Sequence, residues 1–246
     1  MDGVKSVHDD IIVWGKNLAE HDEHLRAALT KAREVGLKLN PKKCQFRAQE
    51  ITFLGDKITN NGVLPDPKKV EAISNMSRPE CKVELQRYLG MVNYLGKFVP
   101  NLSSKTVALR SLLVEKNDWQ WQPEHEKEWR NVNEFLTTEP VLKYYDPKRR
   151  TKVSSDASKK GLGAVLLQEH EGLWKPVAYA SRVLTPAEQR YATIEKETLG
   201  MVFACEKFHE FIYGVPDVIA ETDHKPLITI VKKSLCDTPQ AKNDSC

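Results

Sequence analysis

Between residues 151 and 222 the chain carries three strand-like runs in series, then a long helical stretch, then one more strand-like run. That order restricts the fold more than any other feature. The runs fall at about 151–156, 162–168 and 174–180, the helical stretch at about Pro186 to Tyr213, and the last run at Val218 to Thr222. Strands in series followed by helix and strand make an α/β pattern. Within it, Val153-Ser154-Ser155-Asp156-Ala157-Ser158 is followed by Gly161-Leu162-Gly163-Ala164-Val165-Leu166-Leu167-Gln168. A partly apolar run ends on a carboxylate, a turn of small residues follows, and a second strand begins. This layout lifts Asp156 off a strand end, where it can hold a metal ion.

Two further acids are candidates for the same site: Glu197 inside the long helical stretch and Asp223 just past the later strand. Oxygen ligands from separate elements suit Mg²⁺ or Mn²⁺ better than zinc. Two such ions about 3.5–4 Å apart can activate a water and stabilise the leaving oxygen in phosphodiester cleavage. Spacing alone does not separate these three from surface acids among the 34 Asp and Glu of the chain.

Upstream, His8-Asp9-Asp10-Ile11-Ile12-Val13-Trp14-Gly15 places acids directly before an apolar run, which predicts a strand buried inside a sheet. Leu25, Ala28, Leu29 and Ala32 recur at helical spacing, and Gly36 is a C-terminal stop. Ile51 to Gly55 and Lys57 to Thr59 predict a hairpin. Asn60-Asn61-Gly62 is turn chemistry, and a short helix follows from Lys68 to Ser74. Leu85, Tyr88, Leu89, Val92 and Leu95 share one face of a helix over 84–98. Trp129, Val132, Phe135 and Leu136 point inward from a helix over 124–136. Residues 138–150 read as a linker with a short strand at Val141-Leu142.

The 246 residues are 40% hydrophobic and 29% charged, enough for packed cores. Residues 1–150 carry 25 Lys and Arg against 21 Asp and Glu, and residues 151–246 carry 12 against 13. The mild basic excess of the first part fits phosphate contact and equally an ordinary surface. Five cysteines with no CxxC pair argue against a disulfide framework or a zinc site, and for a reducing compartment. No apolar run reaches membrane-spanning length and no signal peptide opens the chain, so an intracellular protein, cytoplasmic or nuclear and not secreted, is expected.

Taken in order, these stretches resemble the reverse transcriptase–ribonuclease H region of Ty3/gypsy-type retrotransposon Pol polyproteins. Asp9-Asp10-Ile-Ile-Val-Trp-Gly resembles the polymerase palm motif with its metal-binding aspartate pair. Gly36-Leu-Lys-Leu-Asn-Pro-Lys-Lys-Cys44 and Phe53-Leu54-Gly55 resemble the segment leading to and forming the primer grip. Leu89-Gly-Met-Val-Asn-Tyr94 with Phe98-Val-Pro100 resembles the thumb helix, and Pro140-Val-Leu142 with Asp146 the connecting segment. Ser155-Asp156-Ala-Ser158, Glu195-Lys-Glu197 and Thr222-Asp223-His-Lys-Pro-Leu227 resemble the ribonuclease H motifs.

The resemblance implies an α/β (α+β) fold. A partial palm with its primer-grip-like hairpin would occupy 1–75, and thumb and connection helices with a linker 76–150. A ribonuclease H-like mixed sheet with helices would occupy 151–235 and a polar tail 236–246. It implies hydrolysis of the RNA strand of RNA–DNA hybrids with two Mg²⁺ or Mn²⁺ ions. Asp156, Glu197 and Asp223 would be catalytic metal ligands, and Asp9 and Asp10 a polymerase-like pair. Glu197 is preferred to Glu195 because Thr-Leu-Gly follows it. Glu195 lies about 160° further round the helix. Phe53, Leu54, Gly55, Lys42, Lys43, Arg87 and Lys97 would contact a hybrid or primer–template duplex, with Lys68 and Lys69 as further cations.

The departures from the family pattern are specific. Val7 stands where Tyr is common. The fingers and the palm's first metal-binding aspartate have no counterpart, so primer extension by this chain alone is not expected. The last strand, the last helix and the fourth ribonuclease H carboxylate are also expected to be lacking, since Asp237 and Asp244 match no family motif. A non-catalytic nucleic-acid-binding module and an inert relic are the alternatives.

Overall fold

The computed structural model describes residues 2–138 and 141–223. The chain divides into two compact units, residues 1–60 and the residues from 61 onward. The His-Lys-Pro-Leu227 part of the last motif, the polar tail with Asp237 and Asp244, and Pro140 lie outside the described residues.

In the first unit, β1 (Val4–Val7) and β2 (Asp10–Val13) form an antiparallel ribbon. The sequence predicted one buried strand here. Instead β1 supplies the partner of β2, and Ile11 and Trp14 stay 40% and 50% exposed. A two-stranded ribbon cannot cover both of its own faces, which is why the apolar pattern did not translate into burial. Helix α1 (Leu18–Glu34) starts on Asn17, whose side chain accepts the Glu20 N–H. It ends as Gly36 takes φ +69° and Leu37 N–H reaches back to Ala32 O at 2.8 Å. Strands β3 (Ile51–Phe53) and β4 (Asp56–Thr59) pair across the Leu54-Gly55 turn.

The second unit begins with β5 (Gly62–Pro65) and α2 (Pro67–Ser74), the helix capped by the Asp66 carboxylate. Helix α3 (Lys82–Tyr94) passes through Leu95 into a 3₁₀ turn at Gly96–Phe98. The short helices α4 (Leu102–Lys105) and α5 (Val107–Ser111) and the longer α6 (Pro123–Thr137) follow. Leu85, Tyr88, Leu89, Val92 and Leu95 are buried as their spacing required, with Val132 and Leu136 of α6 facing them. Tyr88 is fully buried, and its hydroxyl donates to Asn133 Oδ1 at 2.9 Å. Burial pushes its pKa well above the usual phenol range.

A mixed sheet follows, built from β6 (Thr151–Ala157), β7 (Gly161–His170), β8 (Leu173–Val183) and β9 (Val218–Glu221). Its order is β8-β7-β6-β9, antiparallel throughout except that β9 lies parallel to β6. Helix α7 (Thr193–Lys207) and the short α8 (His209–Ile212) connect β8 to β9. A second hydrophobic cluster, from Val153 to Phe208, fills the space between the sheet and α7.

The single helix expected over 186–213 is broken. Thr185 and Glu188 make a reciprocal capping pair, Thr185 N to Glu188 Oε2 at 2.8 Å and Glu188 N to Thr185 Oγ1 at 3.3 Å. They cap only a 3₁₀ turn at Glu188–Arg190, after which Tyr191 and Ala192 are extended. Helix α7 then starts afresh.

Candidate functional site

Strand β6 alternates. Thr151, Val153 and Ser155 are buried, while Lys152, Ser154 and Asp156 lie on the opposite face, as a period of two requires. Helix α7 covers the first set. At Gly200 it lies in ordinary packing distance: a β-carbon there would stand 3.6 Å from Ser155 Oγ and 3.8 Å from Leu162 Cδ2. Asp156 is exposed and pairs across the ladder with Gly163. The turn after it is held by Ser158, whose Oγ accepts the Gly161 N–H at 2.9 Å.

The parallel register of β6 and β9 ends at Ser154 opposite Glu221. Asp223 follows two residues past the end of β9, and Lys152 of β6 reaches Glu221. Those two form an ion pair at 2.8 Å. Lys152 holds the Glu221 carboxyl below the usual carboxylate range. Asp223 is exposed.

Glu197 lies on α7 one turn before Gly200 and is only 6% exposed. Strands β8 and β9 both run parallel to β6, so the helix joining them runs back the other way. Glu195 does different work: its exposed carboxylate accepts the Ala192 N–H at 2.7 Å and starts the helix. Thus Asp156 stands near the end of β6, Asp223 follows β9, and Glu197 lies in the early turns of α7. Among the described residues, no group of three His, Cys, Asp or Glu side chains is arranged to hold a metal ion. The donors on these elements are three carboxylates, chemistry that fits Mg²⁺ or Mn²⁺.

The other candidates are dispersed. Asp9 is exposed in the β1–β2 turn, where His8 has φ +50°, and Asp10 is the first residue of β2. Leu54 and Gly55 both take left-handed conformations, φ +52° and +78°, and Leu54 is 49% exposed. A left-handed leucine costs about 1–2 kcal/mol. The turn therefore holds a bulky side chain outward at an energetic cost. Phe53 closes this turn opposite Asp56. Lys42 and Lys43 are exposed on a turn organised by Asn40, whose Oδ1 accepts Lys42 N–H at 3.1 Å. In the second unit Arg87 on α3 and Lys97 in the following 3₁₀ turn are exposed. Lys69 of α2 stacks over Tyr94 at 3.7 Å.

Two residues that the motifs did not single out shape the site. Asn101 has φ +51°, ψ +40°, which Asn tolerates better than most residues, and its side chain sits against Gly163 beside Asp156. Gln168 is fully buried. Its amide donates to Asp146 O at 2.8 Å and Thr151 Oγ1 at 3.0 Å, and its Oε1 accepts Asp146 N–H at 2.9 Å. The only sequence signal for either is a polar residue at a position whose neighbours are apolar or small.

Comparison with known proteins adds six findings. A family described as an RNase H-like domain found in reverse transcriptase matches residues 121–219. A family described as reverse transcriptase (RNA-dependent DNA polymerase) matches residues 8–58. The chain is 36% identical over 219 residues to the retrovirus-related Pol polyprotein from transposon 412 of Drosophila melanogaster, covering 89% of this chain and 18% of that protein. It is 31% identical over 222 residues to the transposon Tf2-3 polyprotein of Schizosaccharomyces pombe, covering 89% and 17%. The chain thus spans less than a fifth of the length of these relatives. Among solved structures, it resembles a foamy viral protease-reverse transcriptase in complex with RNA/DNA hybrid, with a TM-score of 0.79 and 28% identity. That match covers 94% of this chain and 32% of the other. It also resembles the foamy viral protease-reverse transcriptase dRH in complex with double-stranded DNA. There the TM-score is 0.81 at 28% identity, covering 97% of this chain and 42% of the other.

Proposed function

Because this chain belongs to the retrotransposon Pol polyproteins, in their reverse transcriptase–ribonuclease H region, we propose that it holds an RNA–DNA hybrid and hydrolyses the RNA strand. Asp156, Glu197 and Asp223 would be its metal-binding carboxylates. The reading is supported by the elements that carry the three acids: Asp156 near the end of β6, Glu197 early in α7, and Asp223 just past β9. Bound Mg²⁺ or Mn²⁺, two ions in the intact family, supplies an activated water and charge neutralisation at the leaving oxygen. Asp156 is exposed next to Gly163, so a substrate phosphate can approach it. Buried Glu197 is fixed by its helix and orients what the two aspartates hold. Lys42, Lys43, Arg87 and Lys97, with Phe53, Leu54 and Gly55, grip the duplex through its backbone with little sequence preference.

The boundary between gripping and hydrolytic parts falls near residue 150. One hydrophobic cluster runs from Ile73 to Leu142 and the other from Val153 to Phe208, which supports that division. Asp9 and Asp10 are the polymerase-like pair. Asp9 lies on the β1–β2 turn and Asp10 at the start of β2, and the loss of primer extension by the 246-residue chain alone is part of the proposal. A reducing, intracellular setting belongs to the same proposal, supported by the unpaired Cys44, Cys81 and Cys205. Among the described residues no helix is long and apolar enough to cross a membrane.

A second reading, a hybrid-binding module without turnover, is favoured by one observation: the three carboxylates do not form a group arranged to hold a metal ion. Incubation of the protein with a labelled RNA–DNA hybrid in Mg²⁺ or Mn²⁺, beside Asp156→Asn, separates the two. Cleavage by the wild type that is absent in the variant is expected. Salt-sensitive retention of the hybrid with no cleavage by either protein selects the binding module.

A further inference from the structure

Residues 148–152 read Lys-Arg-Arg-Thr-Lys, four cations in five positions, where the sequence alone suggests a linker running into a strand. In the fold this run leads Arg150 and Lys152 onto the sheet face that also carries Asp156. There they line an open groove of about 430 Å³ with Trp174 of β8 and Ile219, Ala220 and Glu221 of β9. Lys152 Nζ stands 4.5 Å from the Trp174 ring centroid and the Arg150 guanidinium 5.9 Å.

The cations are held but not used up. Arg150 is 69% exposed at its side chain and gives one bond to Glu169 Oε2 at 2.9 Å, leaving most of its five N–H donors for another acceptor. Lys148 is exposed and has no ion-pair partner among the described residues. Cations beside an aromatic wall are what an unpaired nucleotide needs, since its phosphate takes the charge and its base takes the ring. A base pair inside a duplex hides its faces in the stack and cannot use Trp174.

We propose that this groove binds an unpaired nucleotide of an RNA or DNA strand, its base against Trp174 and its phosphate on Arg150. The proposal rests on the nucleic-acid reading above and adds a contact to single-stranded rather than duplex substrate. Lys152 and Asp156 lie four strand positions apart, about 13 Å. A strand passing Asp156 therefore reaches the groove about four nucleotides further on, at 3.4 Å each.

The test is fluorescence anisotropy with three probes: a blunt RNA–DNA hybrid, the same hybrid with a short unpaired overhang, and the unpaired strand alone. The wild type is expected to bind the overhang hybrid about tenfold more tightly than the blunt one. Trp174→Ala removes that gain and leaves blunt binding unchanged, Trp174→Phe keeps it, and Arg150→Ala lowers the salt slope for the unpaired strand by about 0.7. An overhang that confers no gain, or a gain that survives Trp174→Ala, overturns the proposal. Failure to bind the blunt hybrid, with Trp174-dependent binding of the unpaired strand intact, counts against the duplex reading and supports the groove.

Discussion

The side-chain amide of Asn101 occupies the space in which a β-carbon on Gly163 would sit. Its Cγ lies 2.8 Å from that position and its Oδ1 closer still. Gly163 faces Asp156 across the β6–β7 ladder, so the contact fixes how the segment leading into α4 meets the sheet beside the candidate catalytic aspartate. Nearby, Ser103 N–H donates to Ser181 Oγ at 3.0 Å and joins the same segment to β8.

Gly163→Ala is therefore expected to destabilise the protein by about 1–3 kcal/mol, the usual cost of forcing atoms into a filled contact. Asn101→Gly keeps the left-handed backbone and empties the space. The double variant should recover most of the loss in urea denaturation. If the two effects simply add, the contact is not the cause.

Gly200→Ala should behave in the opposite way. A β-carbon there meets Ser155 and Leu162 at 3.6–3.8 Å, ordinary contact distances, inside a regular helix. Alanine is favoured over glycine in a helix by about 0.8–1 kcal/mol, so the substitution is expected to raise Tm. A bulkier Gly200→Val should lower it by pushing α7 off β6.

Gln168→Leu removes three hydrogen bonds at a fully buried position and strands the Asp146 backbone N–H, while the Asp146 carbonyl keeps the Arg149 N–H at 3.0 Å. A loss of about 1–3 kcal/mol is expected, the usual cost of a buried group left unpaired. Hydrogen exchange should show the 146–151 segment opening first.

The pair of Arg182 and Glu188 gives a pH signature. Two hydrogen bonds of 2.8 and 2.9 Å from the Arg182 guanidinium, helped by Thr185 N–H, bring the Glu188 carboxyl down to about 2. A lowered acid stabilises the fold above its unfolded-state pKa and loses that contribution as pH falls through the folded value. The pair should thus contribute fully above about pH 5 and vanish towards pH 2. Its partial exposure limits the effect to about 0.5–1 kcal/mol. Glu188→Gln should flatten the stability–pH curve in that window.

Much of this protein is set by local chemistry. The helical spacing of Leu85, Tyr88, Leu89, Val92 and Leu95 needs only one apolar partner to become a core, and it found one. Gly36 ended its helix because it alone accepts the left-handed turn at low cost. The ordered motifs around Asp156, Glu197 and Asp223 identified the family, because a family's motif order is carried by sequence. That Glu195 and Glu197 fall on different sides of one helix was legible from a period of 3.6, and the structure has Glu195 exposed and Glu197 buried.

Other features depend on which distant residues meet, and no local pattern encodes that. The apolar run after Asp10 predicts burial, but β1 pairs with it as a ribbon and leaves Ile11 and Trp14 exposed. The helical pattern over 186–213 is real, but the Thr185–Glu188 cap closes after one turn and the chain must reposition before α7 can pack on Ser155. The docking of Asn101 on Gly163, the burial of Gln168 beneath Asp146 and the meeting of Arg150 and Lys152 with Trp174 join residues 22 to 62 positions apart. The sequence by itself determined the elements, their faces and the carboxylates on offer. Only the tertiary structure decided the order β8-β7-β6-β9 and the direction of α7 across it, because strand register and helix direction are fixed by packing between segments and not within them.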